Sequence, residues 1–261
     1  MEDFDLVIIG AGSAGCIIAN QLINNSNYKI LVIEAGPSDN NLIIKVPLGY
    51  GKTFYHNKLN WNFYSKEQSN LNNRKIYTPR GKVIGGSGSI NAMVYARGLE
   101  TDYADWNKIN SSWTWDSIQE IYKKIEHEIS IQSNNLMINK IPVNDVSYFH
   151  HPILKYFFNG SKELNNAFNK KLNTSIDDQV GHYNINTFKG YRVSSSTAFL
   201  NTVKKNKRIK ILTNTIVQKL HIEKNRITSI DVILNNIKQN IKPKIGAILC
   251  CGAIMTPKLL M

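Results

Sequence analysis

The first 35 residues alternate between short apolar runs and polar or glycine-rich connections. Leu6 to Ile9 is an apolar run of strand length, Cys16 to Ile23 has apolar residues at helical spacing, and Lys29 to Ile33 is a second apolar run. Two strands joined through a helix run parallel and are covered on both faces, which suits continuous apolar runs. The pattern predicts a βαβ unit over residues 5–35 and an α/β fold.

The connection between the first predicted strand and the helix has the spacing G-x-G-x-x-G. Gly10 would make the tight turn, Gly12 would let backbone N–H groups approach a pyrophosphate, and Gly15 would allow close packing of helix on strand. An acidic residue ends the second strand, where it can accept hydrogen bonds from an adenosine ribose. A glycine-rich turn alone is the plainer explanation, but the strand, helix and acid together favour dinucleotide binding. The predicted contacts are Gly10, Gly12, Ser13, Ala14, Gly15, Glu34 and Ala35, and they do not separate NAD from FAD.

A helical region is predicted over residues 106–127. Its isoleucine and tyrosine residues recur at helical spacing between Ile118 and Ile125, and Trp113 and Trp115 stand at its entry. We expect these aromatic rings to pack in the core. Residues 130–180 are rich in asparagine and show little periodicity, so no element is assigned there.

The chain returns to strand-like patterns from Ile209 onward. Short apolar segments at 209–223, 226–234 and 244–253 predict strands, with asparagine-rich turns such as 235–240 between them.

Composition and charge narrow the classes of partner. The net charge of +13 raises the question of nucleic acid, but lysines are scattered and the one dense run, Lys204 to Lys210, has no interleaved aromatics. No apolar run approaches the roughly 18 to 20 residues needed to cross a bilayer, and the acidic start is unlike a signal peptide. Three cysteines form no metal or disulfide spacing. We expect a cytoplasmic protein with no nucleic-acid partner, no integral membrane segment and no metal.

Residues 81–98, GKVIGGSGSINAMVYARG, combine glycine and serine with apolar residues. A flexible linker would be polar and unpatterned, whereas Val83, Ile84, Ile90 and Met93 interrupt this one. Glycine permits backbone to approach a flat ring, and backbone N–H groups, serine hydroxyls and the Asn91 amide can hydrogen-bond it. The segment is better interpreted as a cradle for a flat cofactor.

The same segment resembles the first signature of the glucose-methanol-choline (GMC) family of FAD-dependent alcohol oxidoreductases. Further similar segments follow in the family's order at 60–68, 72–82, 190–200 and 252–261, so the resemblance spans nearly the whole chain. The choline-dehydrogenase-like branch is the most similar. The last segment resembles only the first ten residues of the family's second signature.

The resemblance implies a Rossmann-like FAD-binding domain interrupted by a partial substrate domain. We expect the FAD-binding domain over 1–149 and 201–261, with the flavin cradle at 79–98, and the partial substrate domain over 150–200. Flavin contacts are expected around Asn91 to Val94 and an adenine contact at Val217. The implied cofactor contacts beyond the N-terminal unit are Arg80, Gly81, Val83, Gly86, Ser87, Asn91, Ala92, Met93, Val94 and Val217.

The resemblance also fixes expectations about chemistry. Some family members attach FAD through a histidine at the position of Ile90, and isoleucine has no nucleophile, so we expect noncovalent FAD. The family's catalytic histidine comes from a C-terminal segment beyond Met261, and no residue of this sequence is assigned a catalytic role. The implied activity is oxidation of a small-molecule alcohol, choline-like and primary, to an aldehyde by hydride transfer to flavin N5. The electron acceptor stays unknown.

Three hypotheses of different class remain open on sequence alone. The first is that the chain is the N-terminal part of an FAD-dependent alcohol dehydrogenase, incomplete and inactive alone, whose C-terminal half is truncated or separately encoded. The second is a flavin-binding protein without activity of its own, and the third is an NAD-dependent dehydrogenase that uses only the N-terminal fingerprint.

Overall fold

The two apolar runs near the N-terminus form neighbouring parallel strands.

The computed structural model describes residues 3–129, 135–164, 167–168, 172 and 179–261. The helices are α1 (Ser13–Asn25), α2 (Leu42–Lys45), α3 (Tyr50–Thr53), α4 (Glu100–Ile109), α5 (Trp115–Ile125), α6 (Leu154–Glu163), α7 (Asn201–Val203) and α8 (Gly252–Leu260). Short 3₁₀ turns lie at Pro47–Gly49, Ser69–Leu71, Gly86–Ser89 and Ser147–Phe149, and a π-helical turn lies at Ser196–Leu200.

The strands complete the element order. They are β1 (Leu6–Ile9), β2 (Ile30–Ile33), β3 (Phe63–Gln68), β4 (Arg74–Thr78), β5 (Val94–Tyr95), β6 (Glu126–Ile129), β7 (Ile141–Asn144), β8 (Ala167–Phe168), β9 (Gln179–Val180), β10 (Asn184–Ile185), β11 (Thr187–Phe188), β12 (Tyr191–Arg192), β13 (Ile209–Leu212), β14 (Thr215–Glu223), β15 (Arg226–Leu234), β16 (Ile237–Ile241) and β17 (Gly246–Leu249).

The chain divides into two compact units. The first contains residues 1–92 and 190–261, and the second contains residues 93–189. These boundaries differ from the domain boundaries expected at 149/150 and 200/201, which stay a prediction.

The first unit is built on a parallel sheet with the order β13-β2-β1-β17. Leu6 pairs with Ile30 on one side and with Gly246 on the other, so the central strand β1 is flanked by β2 and β17. This arrangement confirms the predicted α/β fold with a parallel sheet. The predicted strand segment 209–223 is in fact two strands, because β13 joins this sheet and β14 does not.

Both faces of the parallel sheet are buried, as its continuous apolar strands require. Ile8, Ile30 and Val32 face α1 and the segment around Leu200 in one apolar cluster. The alternate residues of the same strands pack against the antiparallel sheet β14-β15-β16, chiefly against Ile230 in the cluster on the other face. The parallel sheet therefore lies between two apolar clusters.

The predicted turn at 235–240 is wrong for most of its length. Asn235 and Asn236 form the turn, with φ of 51° and 62°, and β16 begins at Ile237. Asparagine tolerates this left-handed backbone better than most residues, which allows a two-residue hairpin connection.

The second unit contains helices α4 to α6 and the sheet β5-β10-β7-β6. The predicted helical region at 106–127 proves to be two helices, α4 and α5, and Trp113 lies between them. Trp113 is 37% exposed and Trp106 is 58% exposed, so the expectation of core packing is wrong for Trp113. The Trp113 and Trp115 rings contact Tyr103 at centroid distances of 6.4 and 5.9 Å. The unassigned stretch 130–180 lies partly outside the described residues.

Candidate cofactor site

A cleft of about 530 Å³ opens at the carboxyl edge of the parallel sheet. It is bordered by residues that directly end β1, β2 and β17, and α1 and α8 both begin there. Ligands of open α/β sheets bind at this edge, where helix N-termini provide N–H groups and a favourable dipole for phosphate. The volume is in the range of small-molecule and cofactor sites.

Most of the predicted dinucleotide contacts line this cleft. They come from the turn after β1, the end of β2, the segment before the 3₁₀ turn, and β14. The predicted residues in the lining are Gly10, Gly12, Ser13, Ala14, Glu34, Ala35, Arg80, Gly81, Gly86, Ser87 and Val217.

Gly15, although predicted as a contact, does not line the cleft and instead packs the start of α1 against the end of β1. A Cβ atom built on Gly15 would lie 2.0 Å from the carbonyl oxygen of Gly10. No side chain fits there, so helix α1 can approach the end of β1 only with glycine at this position. This close approach sets where α1 begins.

Gly86 brings the second glycine-rich segment against the first. It has φ of 57°, and a Cβ atom built on it would lie 2.8 Å from the Cα atom of Gly12. At Gly12 itself a built Cβ would meet nothing closer than 3.9 Å. The two backbones therefore lie against each other, whereas a Cβ atom on Gly12 would meet the Cys250 carbonyl oxygen and the Gly86 Cα atom only at ordinary van der Waals distance.

Glu34 is the buried acid of the cleft. Its side-chain oxygens accept hydrogen bonds from the Ala11 and Gly36 backbone N–H groups, each at 2.9 Å, and the residue is 6% exposed. Burial raises the pKa of this carboxyl to about 7, although the backbone N–H groups and the Lys82 charge oppose the shift. Each oxygen keeps acceptor capacity that a ribose hydroxyl can use.

The other predicted residues are placed elsewhere. Asn91 and Ala92 line a smaller cleft of about 230 Å³ with Ile90, Arg80 and Ser87. The Val83 side chain is fully buried in an apolar cluster with Ile44, Leu59 and Ile90, and contacts neither cleft. Met93 and Val94 belong to the second unit; Met93 is buried and Val94 is 49% exposed.

Several lining residues were not predicted from the sequence. Trp61 and Phe63 stack with ring centroids 5.8 Å apart, and the Lys82 ammonium lies 4.9 Å from the centroid of the Trp61 ring. Cys250 and Cys251 border the cleft at the end of β17. Their position could have been predicted by placing the last apolar run beside β1, since carboxyl ends of parallel strands share one edge.

The cleft cysteines are not prepared for nucleophilic chemistry. Burial raises the pKa of Cys250, and it raises the pKa of Cys251 to about 11. A thiol is nucleophilic as the thiolate, so both stay protonated and act as small apolar residues. No histidine is among the described residues that line either cleft. The arrangement is suited to binding, and its acidic lining residue, Glu34, is held by backbone N–H groups.

Two negative findings apply to the described part of the chain alone. No three side chains of His, Cys, Asp or Glu come together there as a metal site. No helix within residues 3–129, 135–164 and 179–261 has the length and apolar character needed to cross a bilayer.

Comparison with known proteins agrees with this geometry. Residues 4–261 match the family model described as GMC oxidoreductase. Alcohol dehydrogenase [acceptor] of Pseudomonas putida is 36% identical over 99% of this chain and 48% of its own length. Oxygen-dependent choline dehydrogenase of Rhizobium johnstonii is 32% identical over 98% of this chain and 47% of its own length. The chain thus spans about half the length of the curated relatives it matches.

Solved structures share the fold. Pyridoxine 4-oxidase from Mesorbium loti superposes with a TM-score of 0.89 at 26% identity, covering 98% of this chain and 51% of that one. An FAD-dependent oxidoreductase from Chaetomium thermophilum superposes with a TM-score of 0.87 at 24% identity, covering 99% of this chain and 47% of that one. The resemblance found in the sequence is confirmed.

Proposed function

This chain belongs to the GMC oxidoreductase family, and from that membership we propose that it forms the FAD-binding part of an enzyme that oxidises a small primary alcohol. The observation that carries the proposal is the cleft at the carboxyl edge of the parallel sheet. A buried acid, two helix starts and a glycine-to-glycine contact converge on it.

The residues fit an extended dinucleotide. The starts of α1 and α8 would receive the pyrophosphate, Glu34 would accept from the adenosine ribose, and Val217 would contact the adenine. Asn91 and Ala92 in the smaller cleft would lie beside the flavin ring. The chemistry that FAD supplies when bound is acceptance of a hydride, which no protein side chain provides.

The chain's own contribution is to bind and orient. No histidine is among the described residues that line the clefts, and the Glu34 carboxyl is held by the backbone N–H groups of Ala11 and Gly36, so we assign no catalytic base in this chain. The substrate follows the relatives named alcohol dehydrogenase and choline dehydrogenase, and a choline-like primary alcohol is the proposal. The electron acceptor is left unassigned.

Cofactor titration tests the first part of the proposal. FAD and NAD are added separately to the cofactor-free full gene product, and binding is followed by calorimetry and by the visible flavin band. We expect FAD to bind and NAD to bind far more weakly. Binding of NAD without FAD would overturn the assignment.

Release of the cofactor tests the mode of attachment. Ile90 is 2% exposed and offers no nucleophile, so FAD should leave the polypeptide completely on acid precipitation. Flavin fluorescence that stays with the washed precipitate would contradict noncovalent binding.

Anaerobic reduction tests the reaction. Choline and a series of primary alcohols are added to the FAD-bound gene product together with any separately encoded C-terminal half, and bleaching of the visible band is the expected result. If FAD binds and no primary alcohol bleaches it, the protein is a flavin-binding protein without this activity.

A further inference from the structure

Arg192 is a buried arginine that is hydrogen-bonded to Asn91, a residue of the smaller cleft. It is 4% exposed and lies in β12. Its Nε donates to the carbonyl of Ile44 at 2.9 Å, and Nη1 donates to the carbonyl of Gly88 at 3.2 Å. The side-chain oxygen of Asn91 accepts from Nη1 at 2.7 Å, and its carbonyl accepts from Nη2 at 2.6 Å. One side chain thus connects helix α2 to both ends of residues 88–91.

The Arg192 guanidinium is held by uncharged oxygen acceptors, namely three backbone carbonyls and the side-chain amide of Asn91. No carboxylate in the described part of the chain pairs with it, and burial lowers the pKa of this guanidinium to about 10, which leaves it protonated at neutral pH. Burying an unpaired charge is costly, and it persists where hydrogen bonds satisfy it fully. Four of the five N–H donors are satisfied by the contacts just given, three of them from residues 88–91.

These hydrogen bonds fix the orientation of the backbone carbonyls of Gly88 and Asn91. The carbonyl of Ile90 is also held from outside the segment, by the buried Thr53 hydroxyl at 3.1 Å. N–H and C=O point to opposite sides of a planar trans peptide. The Asn91 carbonyl bonded to Arg192 therefore turns the Ala92 N–H away from the guanidinium, and Ala92 is an exposed residue of the smaller cleft.

We propose that Arg192 is a positioning residue that sets residues 88–92 in the conformation required to receive the flavin ring. The inference rests on the proposed FAD site. We expect Arg192 to affect binding of the flavin half of FAD and not of the ADP half, because Arg192 does not line the cleft that would receive the ADP half.

The test compares FAD with ADP as probes of the two halves. In the full gene product Arg192→Met removes the guanidinium. We expect its Kd for FAD to rise about tenfold or more, and its Kd for ADP to change less than about twofold. The visible band of FAD bound to the variant should also move toward that of free FAD. Arg192→Lys keeps the charge without the planar fork, so it should behave more like Arg192→Met than like the unsubstituted protein.

Arg208→Met is the matched control. Arg208 lies in the same unit and also donates to backbone carbonyls, among them that of Ile23 at 2.7 Å, but it borders neither cleft. This variant should lose stability and keep the ratio of FAD to ADP affinity. The inference is overturned if Arg192→Met lowers FAD affinity and ADP affinity equally, or if it lowers neither affinity. If Arg192→Met does not fold, Arg192→Lys decides, and full FAD affinity in that variant contradicts the role of the fork. Failure of the unsubstituted protein to bind FAD would instead contradict the proposed function.

Discussion

The two glycine-rich segments of the first unit are held in place in different ways. The turn at 10–15 is fixed by backbone packed on backbone at the end of a buried parallel strand. The segment at 86–92 is fixed by side chains that reach it from elsewhere, chiefly Arg192 and Thr53. The first conformation therefore depends on glycines at a set spacing and on backbone contacts, including the close approach of Cys250 just after β17. The second depends on particular side chains, one of them about 100 positions away in the chain.

Gly15→Ala should have the largest effect on stability and on FAD affinity, because backbone atoms leave no room for a side chain at this position. The added Cβ would lie 2.0 Å from the Gly10 carbonyl oxygen, so α1 must move away from β1. We expect a loss of about 3 kcal/mol or more in the free energy of unfolding and roughly a 100-fold loss of FAD affinity. Urea unfolding and FAD titration measure the two quantities.

Gly51→Ala is the control for this change. A Cβ built on Gly51 meets nothing within 4 Å. Unfolding and FAD affinity close to those of the unsubstituted protein are expected. Equal losses in the two variants would show that the close approach at Gly15 is not the cause.

Glu34→Gln tests the acid beside the first segment. Glutamine has one acceptor oxygen for the two N–H groups of Ala11 and Gly36, so a buried donor loses its partner at a cost of about 1–3 kcal/mol. FAD affinity should fall about tenfold or more. Glu223→Gln, at an exposed position of the same unit, should leave FAD affinity unchanged.

The pH dependence of stability tests the same carboxyl without FAD. Its pKa of about 7 in the folded protein exceeds the unfolded value near 4.5, so the folded state holds a proton that the unfolded state releases. The contribution of Glu34 to the free energy of unfolding is present below pH 4.5 and is lost as pH rises toward 7, by up to about 3 kcal/mol. Urea titrations at several pH values measure this slope. The same slope in Glu34→Gln would assign it to another group.

Sequence patterns predicted the parts of this site whose causes are local. A strand, a glycine turn and an acid at the end of the next strand follow from residue spacing, and the structure puts Glu34 at that strand end. Arg192 escaped prediction because nothing near it in sequence marks a buried cation. Its partners at Ile44, Gly88 and Asn91 are brought to it only by the folded chain.

Errors of the sequence analysis had a similar origin. The polar residues of β16 were interpreted as a turn, although a strand with one exposed face needs few apolar residues and Ile241 alone is buried. Trp113 was expected in the core, but it lies in the connection between α4 and α5 and stacks on Tyr103 near the surface. In both cases the prediction used only neighbouring residues in the sequence, whereas the burial of β16 and of Trp113 depends on residues that the fold brings close.

Gly86→Ala measures the contact between the two segments. Gly86 and Gly190 both have positive φ, of 57° and 78°, but only at Gly86 would a Cβ meet another backbone, 2.8 Å from the Gly12 Cα. Gly190→Ala should cost about 1 kcal/mol through backbone conformation alone. Gly86→Ala should cost about 1–2 kcal/mol more, with a loss of FAD affinity that Gly190→Ala does not show. Equal effects of the two substitutions would mean that the segments do not depend on each other.

Thr53→Val should have the smallest effect and bears most directly on the second segment. Valine keeps the shape of threonine and removes the hydroxyl, whose one hydrogen is shared between the carbonyls of Tyr50 at 2.7 Å and Ile90 at 3.1 Å. The expected loss is about 1 kcal/mol, and FAD affinity should fall about fivefold. Because Thr53 donates to the carbonyls of Tyr50 and Ile90 and does not line the larger cleft, ADP affinity should stay unchanged. A fall in ADP affinity as large as the fall for FAD would show that the two glycine-rich segments are supported by one common network, contrary to the comparison drawn between them.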